Sequence, residues 1–250
     1  MSLREEVRST ARAVLDLLFP IACVGCGTYQ ETSTAEAGRW LCAACRQRLM
    51  PDAPVCLVCG LRAPTGRTCY PCLPRTPLAG SVAVGPYRDP ILRSAIATFK
   101  FRGVRALAGP LGELLARNIA AAGLLRQSPD GALPALVPLP LHPRRERARG
   151  FNQAQLLAEA VGTHLGLPVT RLLLRTRPTP PQTSLLGSAA VRRQNVAHAF
   201  ALRSDVPHPP PPRLVLVDDV FTSGATLEAA AGVLASAGTK ELWAAVVARG

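Results

Sequence analysis

The stretch that decides the fold is Leu214-Val215-Leu216-Val217-Asp218-Asp219-Val220-Phe221-Thr222-Ser223-Gly224-Ala225-Thr226. An apolar strand runs into two acids, then into a loop of small hydroxyl residues, and then into the first turn of a helix. Backbone amides of such a loop, with the N-terminus of the next helix, form an anion site. Gly224 lets the backbone approach a phosphate closely, and Thr222, Ser223 and Thr226 add hydroxyl donors. We therefore expect Val220 to Thr226 to bind a phosphate.

The acid pair indicates the rest of the ligand. Asp218 and Asp219 follow the strand, and ligands of open α/β sheets bind outside the carboxyl ends of the strands. Two carboxylates there can accept hydrogen bonds from two sugar hydroxyls. The sequence thus predicts a phosphorylated sugar as ligand.

Strand-like and helix-like segments alternate after Pro77, which predicts an α/β fold with a parallel sheet covered on both faces. Proline-rich loops are expected at Arg175–Gln182 and Ser204–Pro212. The predicted strands are Ser81–Val84, Ala135–Pro138, Val169–Leu174, Leu214–Val217 and Leu242–Ala248, and the predicted helices are Pro90–Phe101, Leu107–Ile119, one capped by Asn152, and Thr226–Ala237.

All eight cysteines lie within residues 23–72, as four Cys-x-x-Cys pairs. Two such pairs complete a tetrahedral thiolate site without an open position, which favours two structural, non-catalytic zinc ions. A disulfide scaffold would suit a secreted protein, and iron–sulfur ligation is a further alternative. Sequential sharing would give two zinc ribbons, and a cross-braced arrangement would interleave the pairs. The pairs are Cys23/Cys26, Cys42/Cys45, Cys56/Cys59 and Cys69/Cys72.

The formal net charge of +13 over 250 residues favours a polyanionic partner. Aromatic residues make up only 4%, which argues against a base-stacking platform. No secretion signal or membrane-spanning run is evident, so we expect a cytoplasmic protein without membrane insertion. Residues 1–18 predict an amphipathic helix, which either docks on its own domain or contacts a membrane or partner.

A cluster of arginines follows the second predicted strand. Arg144, Arg145, Arg147 and Arg149 stand against one acid, Glu146, in a predicted loop from His142 to Asn152. Because the guanidinium fork binds two oxygens at once, Arg144, Arg145 and Arg149 are candidates for binding pyrophosphate or DNA phosphates. The alternative is a solvated basic loop.

The run from Val215 to Thr226 resembles the phosphoribosyl pyrophosphate (PRPP) signature of type I phosphoribosyltransferases. Nearly the whole chain is similar to one family of that fold, the competence protein F (ComF) family. One departure is His198, where similar proteins usually have glycine. The resemblance rests on Phe19-Pro20, Val137 to Pro143, Arg149-Gly150-Phe151-Asn152-Gln153, Gln182 to Leu185, Arg193, Asn195-Val196 and Ala199-Phe200.

The resemblance implies a double zinc ribbon over residues 19–76 and a type I phosphoribosyltransferase-like domain over 77–250. It also implies that the arginine segment occupies the place of the pyrophosphate-binding loop. Members of the family are linked to handling incoming single-stranded DNA during natural transformation. Competence-machinery proteins are therefore further candidate partners.

Two functions follow from these expectations. In the first, the chain is a phosphoribosyltransferase, a glycosyltransferase type of enzyme that binds PRPP with magnesium and acts in single-stranded DNA processing. Asp218 and Asp219 would be its catalytic residues. In the second, it is a non-catalytic zinc-ribbon accessory protein that binds nucleic acid and keeps the phosphoribosyltransferase fold.

Overall fold

The computed structural model describes residues 20–30, 36–49, 53–126, 131–177 and 198–250. The predicted N-terminal helix over residues 1–18 lies outside the described residues. So do Gln182 to Leu185, Arg193 and Asn195-Val196 from the family motifs.

The order of elements confirms an α/β chain behind a cysteine-rich region. Two short helices, α1 (Glu36–Trp40) and α2 (Ala43–Arg48), belong to that region. The elements that follow are β1 (Gly80–Pro86), α3 (Pro90–Phe101), α4 (Ala108–Ala121), β2 (Ala135–Pro138), α5 (Pro143–Arg149), α6 (Gln153–Leu165), β3 (Leu173–Arg175), β4 (Phe200–Leu202), β5 (Arg213–Phe221), α7 (Ala225–Ser236) and β6 (Glu241–Arg249).

The main sheet has the strand order β1-β6-β5-β2, and every pair in it is parallel. Side chains of β5 alternate between its two faces. Val215 and Val217 join the core formed with α3, α4 and α6, whereas Leu214 and Leu216 join the core formed with α7. The predicted parallel sheet with both faces covered is therefore confirmed.

The predicted strand Val169–Leu174 was wrong in its extent. Val169 makes only an isolated parallel bridge to Leu136. The chain then leaves the main sheet, and Leu173–Arg175 pairs antiparallel with Phe200–Leu202 in a separate two-stranded sheet. A short apolar run predicts burial but does not specify which strand it pairs with.

The expected loop from His142 to Asn152 instead contains helix α5. Pro143 occupies the first turn, where its missing N–H is not needed. The His142 side chain accepts a hydrogen bond from the Arg144 amide at 3.3 Å, and Gly150 ends the helix with a φ of 80°. The arginines of this segment are thus held on a short rigid element.

The two cysteine regions pack on the α/β core in different ways. Cys23, Cys42 and Cys45 belong to the same buried cluster as Ile91 and Leu92 of α3. The second cysteine region instead covers the edge strand β1, where Thr68 donates its amide to Ala79 and its hydroxyl to Leu78, at 2.9 and 2.7 Å. A covered edge strand is protected from pairing with other chains.

Candidate metal centres and ligand-binding cleft

The structure gathers the eight cysteines into two clusters that share pairs sequentially. Within each cluster the sulfur atoms all lie within 4.8 Å of one another. This favours sequential sharing over the cross-braced alternative. The first cluster is Cys23, Cys26, Cys42 and Cys45, and the second is Cys56, Cys59, Cys69 and Cys72.

The donor set of each cluster fits structural zinc. Four thiolates fill a tetrahedral site and leave no position for a substrate. Hydrogen bonds to the side chain and backbone of Thr28 lower the pKa of Cys26 to about 6. A thiol with such a pKa is largely deprotonated at neutral pH, which is the state that zinc binds.

The sheet register exposes the acid pair at one end of β5. Strand β2 pairs with β5 only as far as Pro138 and Val217. On its other side β5 stays paired with β6 as far as Phe221 and Arg249. Asp218 and Asp219 therefore begin where β2 has ended, and that side of β5 opens into a cleft of about 840 Å³.

The two acids differ in their surroundings. Asp219 is 5% exposed, and its Oδ1 lies 2.7 Å from Nζ of Lys100. Asp218 accepts a hydrogen bond from the Asp219 amide at 2.8 Å. Burial, with the Asp219 charge beside it, raises the pKa of Asp218 to about 7. The pair thus holds one ion-paired carboxylate and one carboxyl group that titrates near neutral pH.

The predicted phosphate loop forms a tight turn between β5 and α7. Gly224 precedes the first turn of α7 with a φ of 74°, a left-handed conformation that favours glycine. A Cβ atom on Gly224 would lie 2.7 Å from the Phe221 ring. The hydroxyl oxygen of Ser223 is buried without a hydrogen-bond partner. An orphaned donor beside a helix N-terminus is consistent with an oxyanion ligand.

Most of the predicted loop residues line the cleft. Val220, Phe221, Thr222, Gly224 and Thr226 do so together with both acids. Ser223 and Ala225 lie between these residues in sequence but do not line the cleft themselves. The acid pair and the loop therefore face one cavity, as a single ligand would require.

The cleft is strongly cationic. Arg145 and Arg149 of α5 line it, together with Lys100, Arg102 and Arg175. Arg149 is half-buried, and its burial lowers its pKa against the opposing charge of Asp219. Five cations against two acids favour a ligand that carries several negative charges. Arg144, the third candidate of this segment, is exposed and does not line the cleft.

The sequence analysis missed Lys100, Gln153 and Arg175 as residues of this cleft. A signal for Lys100 was available, since it is one of only two lysines among 29 basic residues. Gln153 belongs to a family motif but was assigned no role. Arg175 ends a strand that was placed wrongly, so its position at the cleft could not be deduced.

Comparisons with known proteins agree with this architecture. Residues 14–73 match the family described as "Double zinc ribbon domain". "Competence protein F" of Haemophilus influenzae is 33% identical over 228 residues, which cover 90% of this chain and 95% of that protein. The chain belongs to the competence protein F family.

Other relatives of this competence protein F family member carry related names. "DNA utilization protein YhgH" of Escherichia coli K12 is 33% identical over 79% of this chain and 85% of its own. "Competence protein ComFC" of Bacillus subtilis is 28% identical over 79% of both chains. The crystal structure of TT1426 from Thermus thermophilus covers 56% of this chain and 72% of its own at 20% identity, but its TM-score of 0.33 is too low to carry an argument.

Membrane contact by a spanning helix finds no candidate in the described part of this family member. Among residues 20–30, 36–49, 53–126, 131–177 and 198–250, no helix has the length and apolarity to cross a bilayer.

His198 explains the one departure from the family pattern. Its φ is 60°, in the left-handed region where glycine is favoured. Histidine tolerates that region better than most other side chains. The competence protein F backbone is therefore retained here with a different residue.

Proposed function

We propose that this chain binds PRPP with Mg²⁺ in the cleft and acts as a phosphoribosyltransferase-type protein in the processing of single-stranded DNA. The observation that supports this is the shared cleft. The acid pair and the glycine loop line one cavity with five basic side chains. A phosphorylated sugar with a pyrophosphate group matches that distribution of donors and acceptors.

Each part of the cleft would hold one part of the ligand. Residues 222–226 donate backbone and hydroxyl hydrogens to the 5′-phosphate. Asp218 and Asp219 accept hydrogen bonds from the two ribose hydroxyls, and Lys100 positions the Asp219 carboxylate through their contact at 2.7 Å. Arg145 and Arg149 bind the pyrophosphate oxygens. These residues share the cleft without competing for the same ligand atoms.

The chemistry proposed is displacement of pyrophosphate at C1 of the ribose. PRPP, when bound with Mg²⁺, supplies the bond to the leaving group. The arginines stabilise the negative charge that develops on pyrophosphate as that bond breaks. The acid pair orients the ribose and favours the positive charge that develops on its ring. No protein nucleophile is needed for such a step.

The DNA role rests on charge and on the relatives' names. The relatives are called competence and DNA utilization proteins, and this chain carries a net charge of +13. Arg144 and Arg147 are exposed on α5 outside the cleft, where they are accessible to a DNA backbone. We propose a cytoplasmic location, a ribbon module over residues 19–76 and a catalytic domain over 77–250.

A thermal-shift titration with PRPP and Mg²⁺ tests the ligand. At about a hundred times its dissociation constant a ligand stabilises the folded state by about 2.7 kcal/mol. For a chain of this size we expect Tm to rise by about 5 to 10 °C. Asp218→Asn should abolish the rise, while Asp205→Asn, on an exposed residue paired with Arg203, should keep it.

The alternative is a non-catalytic accessory protein that binds nucleic acid. Residues 53–76 around the second cysteine cluster hold Arg62, Arg67 and Arg75 and no acidic residue. That charge suits a DNA backbone and needs no cleft ligand. A wild-type protein that binds single-stranded DNA but shows no Tm change with millimolar PRPP and Mg²⁺ would establish this alternative.

A further inference from the structure

Gln153 has a buried amide group without a partner at the cleft. The residue begins α6 and is 2% exposed. Its Nε2 atom has no hydrogen-bond partner, although the residue lines the cleft. A buried donor left unpaired is unfavourable, and such atoms are rare in native proteins.

The neighbouring amide side chains are fully used, so Gln153 differs from them. Asn152 caps α6 by accepting from the Ala154 amide at 3.0 Å, and it donates to the Leu139 carbonyl at 3.1 Å. Gln155 donates to Glu159 at 2.6 Å and accepts from Arg171 at 2.9 Å. The motif that contains Gln153 therefore has a structural explanation for Asn152 but none for Gln153.

The surroundings of Gln153 favour an oxyanion. Helix α6 has 13 residues, and Asn152 and Gln153 place its N-terminus at the cleft. The N-terminus of a helix carries partial positive charge. Arg145 and Arg175 line the same cleft. An amide N–H among these groups can donate to an anionic oxygen but would not bind a cation.

We infer that the Gln153 amide donates a hydrogen bond to a phosphate oxygen of the cleft ligand, in its pyrophosphate group. This deepens the proposed function and rests on it. The unliganded protein carries the unpaired donor, and ligand binding satisfies it. Rotation about the terminal χ3 bond, which has a broad torsional minimum, turns the amide from the cleft wall toward the ligand.

The substitution Gln153→Met separates a binding role from a packing defect. Methionine has similar length and no donor, so the apo protein should melt higher by at least about 2 °C because the unpaired amide is gone. Affinity for PRPP with Mg²⁺, measured by calorimetry on the zinc-loaded full chain, should fall by about tenfold or more. Gln155→Met is the matched control, and its affinity should equal that of wild type.

A Gln153→Met protein that melts higher but binds within twofold of wild type would overturn the inference and leave the proposed function intact. If that variant does not fold, Gln153→Glu keeps the shape and replaces the donor with a negative charge, and it should bind still more weakly. If wild type does not bind PRPP, the proposed function fails. Titration with Mg²⁺ and inorganic pyrophosphate then decides the Gln153 site, and absence of wild-type binding there rejects it as well.

Discussion

Asp218 should make ligand binding depend on pH in the neutral range. Its pKa is raised to about 7 by burial and by Asp219, and only the ionised carboxylate accepts both hydrogen bonds from a ribose diol. The Tm rise with PRPP and Mg²⁺ should therefore grow as pH increases from 6 to 8. A rise that is flat over this range, measured in buffers of constant ionic strength, would contradict the assignment of Asp218 to the ribose.

The same carboxyl group should lower the stability of the apo protein as pH rises. Its folded pKa lies above the ordinary 3.8, so the folded state binds more protons than the unfolded state between these values. Stability contributed by this group is full below about 4 and is lost as pH rises to about 7. Asp218→Asn, which keeps the acceptor for the Asp219 amide, should melt higher than wild type at pH 8 and similarly at pH 4.

Lys100 and Asp219 should behave as one unit in stability measurements. Lys100→Met would leave a carboxylate that is 5% exposed without its ion pair at 2.7 Å. Breaking a buried pair on one side typically costs about 3 kcal/mol. Adding Asp219→Asn should restore much of that loss in urea unfolding. Additive single effects in this cycle would show that the two side chains do not interact.

At the scale of elements, the turn into α7 should require glycine at one position but not at another. Gly224 has a φ of 74° and the Phe221 ring beside it, so Gly224→Ala should destabilise the protein by about 1 to 2 kcal/mol and weaken PRPP binding. Gly232 lies within α7 with open space around its Cα. Gly232→Ala should stabilise by up to about 1 kcal/mol. Equal effects of the two substitutions on urea unfolding would refute this account.

The two cysteine clusters should differ in what their loss does. Purified protein should contain two zinc ions, one for each cluster. Cys56→Ser with Cys59→Ser should remove one ion and leave the main unfolding transition nearly unchanged, because that cluster has its own small core. Cys23→Ser with Cys42→Ser should lower the main transition strongly, because both residues lie in the core shared with α3. Loss of both ions in the first variant would show that the clusters are coupled.

Local sequence signals predicted the elements better than the contacts between them. The β5–α7 segment was predictable because its strand, acids, glycine and helix start are contiguous. The ion pair of Lys100 with Asp219 joins residues far apart in the chain, and no local pattern reports such a contact. The arginine segment was expected to be a loop, since seven residues between a histidine and a glycine show little helical periodicity. Its capping by His142 and Gly150 fixed the helix.

For the whole molecule, the composition indicated a polyanionic partner but did not separate two anion sites. The net charge of +13 is equally consistent with a small phosphorylated ligand and with DNA. The fold separates these possibilities, because α5 directs Arg145 and Arg149 toward the cleft while Arg144 and Arg147 remain exposed. One helix can therefore serve two ligands with different residues.

This separation predicts that DNA affinity and PRPP affinity can be altered independently. Binding of a single-stranded oligonucleotide should weaken with salt by about 0.7 log units per log unit of salt for each phosphate contact. Arg144→Gln with Arg147→Gln should lower that slope by about 1.4 and leave the PRPP-induced Tm rise unchanged. Arg93→Gln with Arg117→Gln, which removes two exposed charges from α3 and α4, is the charge-matched control and should lower the slope less. A slope that falls equally in both pairs would show that DNA responds to net charge alone, and an unchanged slope in the α5 pair would exclude α5 as a DNA contact.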